Sequence, residues 1–249
     1  MSAVDFDNRL KPNTITNVKK RVMSHSDSNE SNMSINSAFW QLVLHPRSNP
    51  AALKVGQAME RVSSPVNEDK IVAEFMADPS IRALIEERYW PEPYTIESLE
   101  GYPPGTLGRA YHIMMMREGF QEITPPIPQT SPMNYIRLRS LQTHDYWHVV
   151  AGYGTESPKE AALQAFYLGQ EHKPFGAVLI AAGLMHAALF RPEWITPMAA
   201  GMAEGYERGK AAKPLFGVKW EENWHRPLAE IRAELGLAPG EHTDAWDYE

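Results

Sequence analysis

Apolar residues recur at helical spacing along most of this chain, and the alternation that marks β-strands persists nowhere. Proline and glycine interrupt the pattern at 90–93, at 103–105 and at 124–128, which predicts loops there. The pattern predicts an all-α fold, a single domain of about eight to ten helices. The predicted helical segments are 38–44, 50–62, 67–76, 80–89, 106–118, 131–151, 157–170, 175–190, 193–210 and 220–237.

The helix predicted at 131–151 has clear start and stop signals. Ser131-Pro132 offers an N-cap followed by proline at the first helical position, and Gly152 and Gly154 suit a helix end. Ser157-Pro158 repeats the start signal for the next helix. Because the connection is so short, we expect the two helices to form an antiparallel hairpin.

Both ends of the chain are predicted to be flexible. Residues 1–36 are rich in Ser and Asn, without the apolar run of a signal peptide or a convincing mitochondrial signal, and residues 240–249 are polar and acidic. The helical domain is therefore assigned to residues 37–239.

Two apolar stretches have open interpretations. The run from Phe175 to Phe190 contains no charge apart from the titratable His186, but a membrane span needs roughly 20 apolar residues. A core helix, a subunit interface and a surface that enters lipid all fit this run. The methionines at 114–116, with Met115 at their centre, are either core filler or a pliable wall for an apolar ligand.

Charge and composition exclude several classes of function. The chain has 24 basic and 31 acidic residues, a net charge of -7 that argues against a general nucleic-acid binder. It has no cysteine, which excludes disulfides, cysteine nucleophiles and thiolate metal sites. Any metal ion must be held by His, Asp, Glu or other oxygen ligands.

The densest candidate chemistry lies in the predicted hairpin. His144, Asp145 and His148 fall within one wedge of the first helix, because each residue advances about 100° around the axis. Glu160 follows after eleven intervening residues, in the first turn of the second helix. Two histidines four apart, completed by carboxylates, commonly hold a metal ion on helices. The alternatives are a surface histidine pair, Asp145 as an outer partner of an imidazole, and a capping box formed by Ser157 and Glu160.

The chemistry of these donors restricts the metal only loosely. Two imidazoles with carboxylates suit Zn, Fe, Mn or Co. Two arginines upstream are candidates for binding a substrate anion bidentately: Arg137, on nearly the face of His144, and Arg139, which points elsewhere. A solvated surface arginine is the alternative for each.

The residues resemble those of a known family. His144-Asp145-x-x-His148, eleven residues and Glu160 resemble the metal-ligand motif of the coenzyme Q biosynthesis protein 4 family. The resemblance extends from about residue 37 to residue 237, through segments in the same order as in the family. These segments are 104–111, Tyr135-Ile136 with Arg139, 214–224 and 228–232.

The resemblance implies an all-helical homodimer that works at a membrane surface on prenylated quinone precursors. It implies a divalent metal held by His144, Asp145, His148 and Glu160, which would then be the catalytic residues. The implied reaction is oxidative decarboxylation with hydroxylation at ring carbon 1 of a prenylated benzoate-type ring, with Arg137, Arg139, Met115 and His186 as candidate substrate contacts. The alternative is a lipid-binding scaffold with a structural metal that organises other quinone-biosynthesis enzymes. Residues 1–36 favour a bacterial relative, cytoplasmic and peripheral to the inner membrane.

Overall fold

The computed structural model describes residues 33–120, 131–170 and 174–243. Within these ranges the fold is all-α, as predicted, with an isolated β-bridge between Thr106 and Pro227. The predicted loop at 124–128 and most of both predicted tails lie outside the described residues. The ten described α-helices are α1 (Ile35–Leu44), α2 (Asn49–Val62), α3 (Pro65–Ala77), α4 (Pro79–Glu87), α5 (Leu107–Glu118), α6 (Pro132–Ala151), α7 (Ser157–Gln170), α8 (Pro174–Phe190), α9 (Ile195–Ala211) and α10 (Leu228–Leu235).

The chain divides into two compact units at Val62. In the described part of the first unit, α1 and α2 pack together through buried apolar side chains that include Leu42, Val43 and Val55. The guanidinium of Arg61 donates a hydrogen bond to the carbonyl oxygen of Met33. The boundaries predicted for the two flexible tails stay predictions.

Helix α6 is the centre of the second unit. It contacts α3, α4, α5, α7 and α10, and more than half of its residues are buried. Trp147 stacks flat on Tyr167 of α7, with ring centroids 4.1 Å apart. On another side, Tyr146 meets Tyr111 and Trp224 edge to face. The helix that carries the histidines is therefore clamped by large rings, whose burial dominates core energetics.

Both ends of α6 are fixed by hydrogen bonds. The Ser131 side chain accepts from the backbone N–H of Asn134 at 3.1 Å, and Gly152 ends the helix with φ +82°. Both predicted signals are confirmed. The last carbonyl groups lack partners within the helix and accept hydrogen bonds from two arginines. Arg232 donates to the carbonyl oxygens of Val149 and Val150, and Arg208 donates to that of Ala151.

Helices α7 and α9 approach each other at backbone distance. Gly205 and Gly209 of α9 face α7, where a Cβ atom would lie 2.2 Å from the Ala162 carbonyl oxygen and 2.3 Å from the Phe166 carbonyl oxygen. Gly169 of α7 meets the backbone of α9 equally closely, 2.4 Å from the carbonyl oxygen of Tyr206. Glycine is required here by space, because no side chain larger than hydrogen fits between the helices.

The segment 220–237 differs from the single helix predicted for it. A 3₁₀ turn at Trp220–Asn223 is followed by Pro227, with φ −56° and ψ +128°, and α10 begins only at Leu228. The prediction was wrong because proline lacks an N–H and disfavours helical conformation in the residue before it. Pro227 therefore breaks the amphipathic pattern in two.

Helix α8 is apolar but mostly not buried. Gly176, Ala182 and Ala187 are buried, whereas Met185 and Leu189 are 40% and 44% exposed. Among the described residues, none of the helices has the length and apolar composition needed to cross a membrane. The exposure of Met185 and Leu189 excludes the interpretation of this run as a fully buried core helix.

We predict that Gly205→Ala destabilises the protein, because its new methyl group would overlap the backbone of α7. Overlap with backbone is relieved only by moving the helices apart. The expected loss is about 2 kcal/mol or more of the free energy of unfolding, and thermal unfolding should show a Tm lower by about 4–8 °C. Gly101→Ala is the matched control, since a Cβ there meets nothing within 4 Å. Equal Tm values for the two variants would contradict the close contact.

Candidate metal centre

Three side chains of the types that can bind a metal ion meet near the C-terminal end of α6. One turn separates His144 from His148, and their ring centroids are 4.8 Å apart. One donor atom from each of His144, Asp145 and His148 lies within 4.8 Å of the other two. The sequence prediction that these residues share one wedge of a helix is confirmed.

Glu160 approaches both histidines from α7. Its Oε2 atom lies 3.1 Å from Nε2 of His148, and its Oε1 atom lies 3.8 Å from Nε2 of His144. Donors bound to one tetrahedral zinc ion are about 3.3 Å apart, given bonds of about 2.0–2.2 Å. The two separations between Glu160 and the histidines fall on either side of that value, and donor atoms of His144, Asp145 and His148 lie within 4.8 Å of one another, so these side chains could close around a small divalent cation. The antiparallel hairpin itself stays a prediction.

A backbone carbonyl orients the imidazole of His148. Nδ1 of His148 lies 2.9 Å from the carbonyl oxygen of Tyr153, and this geometry assigns the ring proton to Nδ1. Nε2 therefore faces Glu160: it donates a hydrogen bond to the carboxylate when the ring is protonated, and offers a lone pair to a metal ion when the ring is neutral. A hydrogen bond from the far nitrogen is the usual way in which proteins orient a metal-binding histidine.

Tyr167 plays the corresponding role for His144. Its hydroxyl group lies 3.4 Å from Nδ1 of His144, and the two rings are nearly parallel with centroids 5.9 Å apart. Because Tyr167 is itself stacked on Trp147, its ring has little freedom. Both imidazoles therefore turn Nε2 toward Glu160.

The capping box that competed for Glu160 does not form. The Ser157 hydroxyl oxygen is buried without a hydrogen-bond partner, and the Glu160 N–H donates to the carbonyl oxygen of Glu156. The expectation that Ser157 caps α7 was wrong, because the helix already includes Ser157 and Glu156 accepts its first backbone bonds. The Glu160 carboxylate instead accepts a 2.7 Å hydrogen bond from Nε2 of Gln164.

The pKa values of Glu160, His144 and His148 are shifted by burial and by one another's charges. Burial raises the pKa of Glu160, but the charges of His144 and His148 and the hydrogen bonds outweigh burial and lower it to about 2. Burial lowers the pKa of His144, and the neighbouring His148 adds to that effect. For His148 burial also acts downward, but the hydrogen bond to Glu160 and its charge raise the pKa overall. Glu160 is thus held ionised, the form that binds metal.

The candidate ligands differ in exposure. The His148 side chain is 2% exposed, whereas the side chains of His144 and Glu160 are 30% and 28% exposed. A small molecule can therefore reach this cluster from the side of His144 and Glu160, while His148 forms its floor.

The two predicted anion-binding arginines are engaged by carboxylates of the protein. Arg137 forms an ion pair with Glu68 of α3 at 2.7 Å. Arg139 is fully buried and binds Glu221 bidentately, at 2.6 and 2.9 Å, with a further bond to Gln142 at 2.7 Å. Burial lowers the pKa of Arg139, but the hydrogen bonds and charge of Glu221 raise it overall, so its guanidinium remains charged.

The other two predicted substrate contacts lie on different elements. Met115 is fully buried in the core of the second unit. His186 lies on α8, half-buried, with its ring 5.2 Å from Phe190 and 5.8 Å from Trp194. The substrate-binding role of these residues stays a prediction.

Sequence reasoning missed the partners that orient the ligands. Gln164 lies four residues after Glu160 and Tyr167 seven residues after it, the spacing of one helix face, so this signal was available. The carbonyl oxygen of Tyr153 carries no side-chain signature. Its position depends on the turn at Gly152, which the sequence does predict.

Comparison with known proteins agrees with this architecture. The family described as "Coenzyme Q (ubiquinone) biosynthesis protein Coq4" matches residues 21–241. The mitochondrial ubiquinone biosynthesis protein coq4 of Talaromyces stipitatus is 26% identical over 82% of this chain and 71% of its own length. Its counterpart from Komagataella phaffii is 25% identical over 78% of this chain and 64% of its own length.

A solved structure is similar along nearly its whole length. The crystal structure of a protein from Nostoc punctiforme superposes with a TM-score of 0.72 and 26% identity, covering 83% of this chain and 98% of the Nostoc chain. The two fungal relatives are named as mitochondrial proteins. The bacterial inner-membrane location drawn from the sequence stays a prediction.

We predict that Arg139→Met and Arg137→Met have very different effects on stability. Removing Arg139 leaves the Glu221 carboxylate, whose side chain is 6% exposed, without its partner. Breaking such a buried pair costs about 3–5 kcal/mol, whereas the half-buried pair of Arg137 with Glu68 contributes under about 1 kcal/mol. Urea unfolding of both variants measures the difference. Similar losses of unfolding free energy in the two variants would contradict a structural role for Arg139.

Proposed function

This chain belongs to the coenzyme Q (ubiquinone) biosynthesis protein Coq4 family, and on that premise we propose that it is a metal-dependent enzyme of ubiquinone biosynthesis. Its substrate in this proposal is a prenylated benzoate-type ring, decarboxylated and hydroxylated at ring carbon 1. The observation that carries the proposal is the convergence of His144, His148 and Glu160 on one point, with Asp145 beside them.

The proposed metal is a divalent ion, Zn, Fe, Mn or Co, with His144, Asp145, His148 and Glu160 as its ligands. Imidazole nitrogens and carboxylate oxygens suit these ions. The outer hydrogen bonds from His148 to Tyr153 and from Gln164 to Glu160 support a metal rather than an isolated ion pair, because such partners orient metal ligands. When bound, the ion would neutralise a carboxylate and polarise the bond that joins it to the ring.

An apolar surface begins next to these ligands. Gly176, near the start of α8, lies so close to Gln164 that a Cβ atom would be 3.2 Å from the Gln164 Oε1 atom. From there α8 continues without charged residues for the rest of its length, with Met185 and Leu189 exposed. The polar ring of a prenylated molecule could bind at the candidate ligands while its apolar tail lies along α8.

The overall reaction balances with an external oxidant. The bond between ring carbon 1 and the carboxylate carbon breaks and releases CO₂, and a bond to a hydroxyl oxygen from water forms at the same carbon. Two electrons and one proton are released, and a two-electron acceptor takes up the electrons. In this proposal the acceptor is an external two-electron oxidant.

Residues of this chain perform two tasks in the proposal. His144 and Glu160, the partly exposed members, meet the incoming ring, while buried His148 holds a proton at Nδ1 against the carbonyl oxygen of Tyr153 and cannot rotate away. The walls provided by Trp147 and Tyr167 exclude water from the buried side. Ligands that are already held in place favour catalysis, because they need not reorganise during the reaction.

A membrane surface, a prenyl lipid and a second copy of the chain are the partners that we include in the proposal. Helix α8 is the surface that we assign to the lipid, since its exposed Met185 and Leu189 are apolar. Arg191 lies over the ring of Trp194 at the end of α8, an amphipathic pair of the type enriched at membrane interfaces. We propose a homodimer without assigning its interface.

We predict that purified protein contains a single divalent metal ion per chain and that His148→Ala loses it, because His148 is the most buried ligand. Elemental analysis after gel filtration measures the stoichiometry. The matched control is His225→Ala, which removes an exposed histidine and should retain the metal. Equal metal content in His148→Ala and the unmodified protein would rule out this ligand set.

We predict that Asp145→Asn abolishes quinone production while leaving the fold intact. Asn keeps the shape of Asp but lacks its charge, so it weakens the metal site without creating a cavity. Ubiquinone and its carboxylated precursor are measured in a strain that lacks its own enzyme and expresses the variant. Accumulation of the precursor is expected. Full quinone production by a folded, metal-free variant would favour the scaffold alternative instead.

A further inference from the structure

The carboxylate of Glu160 has two different oxygen environments. Oε2 lies 3.1 Å from Nε2 of His148. Oε1 lies farther from its histidine, 3.8 Å from Nε2 of His144, and accepts the 2.7 Å hydrogen bond from Nε2 of Gln164. The pair is four residues apart on α7, so the same helix supplies both groups. When one carboxylate oxygen accepts a hydrogen bond, the other oxygen is the one fully available to bind a metal ion.

Gln164 has little freedom to move away. Its residue exposure is 5%, and its Oε1 and backbone carbonyl oxygens face Gly176 of α8, where a Cβ atom would lie 3.2 and 3.3 Å away. On the opposite face of α7, Ala162 and Phe166 are locked against the glycines of α9. The amide is therefore held at Glu160 by packing on two sides.

From these contacts we propose that Gln164 is a positioning residue that restricts Glu160 to monodentate metal binding through Oε2. This inference rests on the metal centre proposed above and adds a determinant of its coordination number. By engaging Oε1, the amide would leave a fifth coordination position unfilled by the protein, on the side where His144 and Glu160 are partly exposed. A substrate carboxylate is the anionic group that this position would accept.

The consequence of removing the amide follows from the same geometry. In Gln164→Leu, Oε1 loses its donor and becomes available to the metal, so Glu160 can bind through both oxygens. The coordination number rises and the free position is lost. The carboxylate also loses the support that orients it, and loss of such an outer partner typically lowers metal affinity about 10–100-fold.

The test combines an affinity with a spectrum. Zn²⁺ affinity is measured by competition with a chromophoric chelator, and the visible ligand-field bands of the Co²⁺-loaded protein report the coordination number. For Gln164→Leu we expect Zn²⁺ to bind about 10–100-fold more weakly and the Co²⁺ bands to shift and weaken. A residue that only supported packing would lower the Tm and leave the Co²⁺ bands unchanged.

Two further variants make the outcome decisive. Gln164→Met keeps the length of the side chain without a donor and should repeat the result if Gln164→Leu does not fold. Gln57→Leu removes an exposed glutamine of α2 and should match the unmodified protein in both measurements. Unchanged affinity and Co²⁺ bands in the Gln164 variants overturn the inference while the metal centre stands. No metal binding by the unmodified protein overturns the metal centre itself.

Discussion

The contact between the backbones of α7 and α9 is the constraint on which the site depends. Helix α7 contacts its neighbours with two faces. Ala162, Phe166 and Gly169 meet α9, and Glu160 and Tyr167 on another face meet the histidines of α6. Because the glycines of α9 leave no room for adjustment, the position of the first face fixes the second. A carboxylate can face two imidazoles at 3.1 and 3.8 Å only when its helix cannot slide.

Helix α6 is held by a different kind of interaction, charged groups placed inside the protein. Arg208 and Arg232 neutralise its C-terminal carbonyl groups, where a cation is favoured by the helix dipole. Arg139 meets Glu221 from a segment 82 residues away. Arg139 is fully buried, which is tolerated because its terminal nitrogens bind Glu221 and Gln142, whereas Arg208 and Arg232 are only partly buried. These arginines therefore stabilise the fold, and the anion-binding position that we propose lies at the partly exposed candidate ligands instead.

Sequence alone predicts the parts of this site that depend on local spacing. Ser131 and Gly152 fix the ends of α6, and a spacing of four places His144 and His148 on one face. Prediction from sequence fails where two interacting residues are far apart in the chain, or where two local signals compete for one residue. Glu221 could not be paired with Arg139 from the sequence, and Ser157 offered a cap that Glu156 made unnecessary. The spacing of four between Gly205 and Gly209 was visible, but its meaning depends on the helix that packs there.

Gln164 explains how a carboxylate and an apolar helix can be neighbours. An ionised carboxylate beside an apolar surface loses hydrating water. This desolvation is tolerated only if hydrogen-bond donors of the protein replace the lost water. Gln164 supplies that donor to Glu160, and the absence of a side chain at Gly176 lets α8 pack directly on the amide. One uncharged side chain thus lies between the proposed metal ligand and the start of the apolar helix.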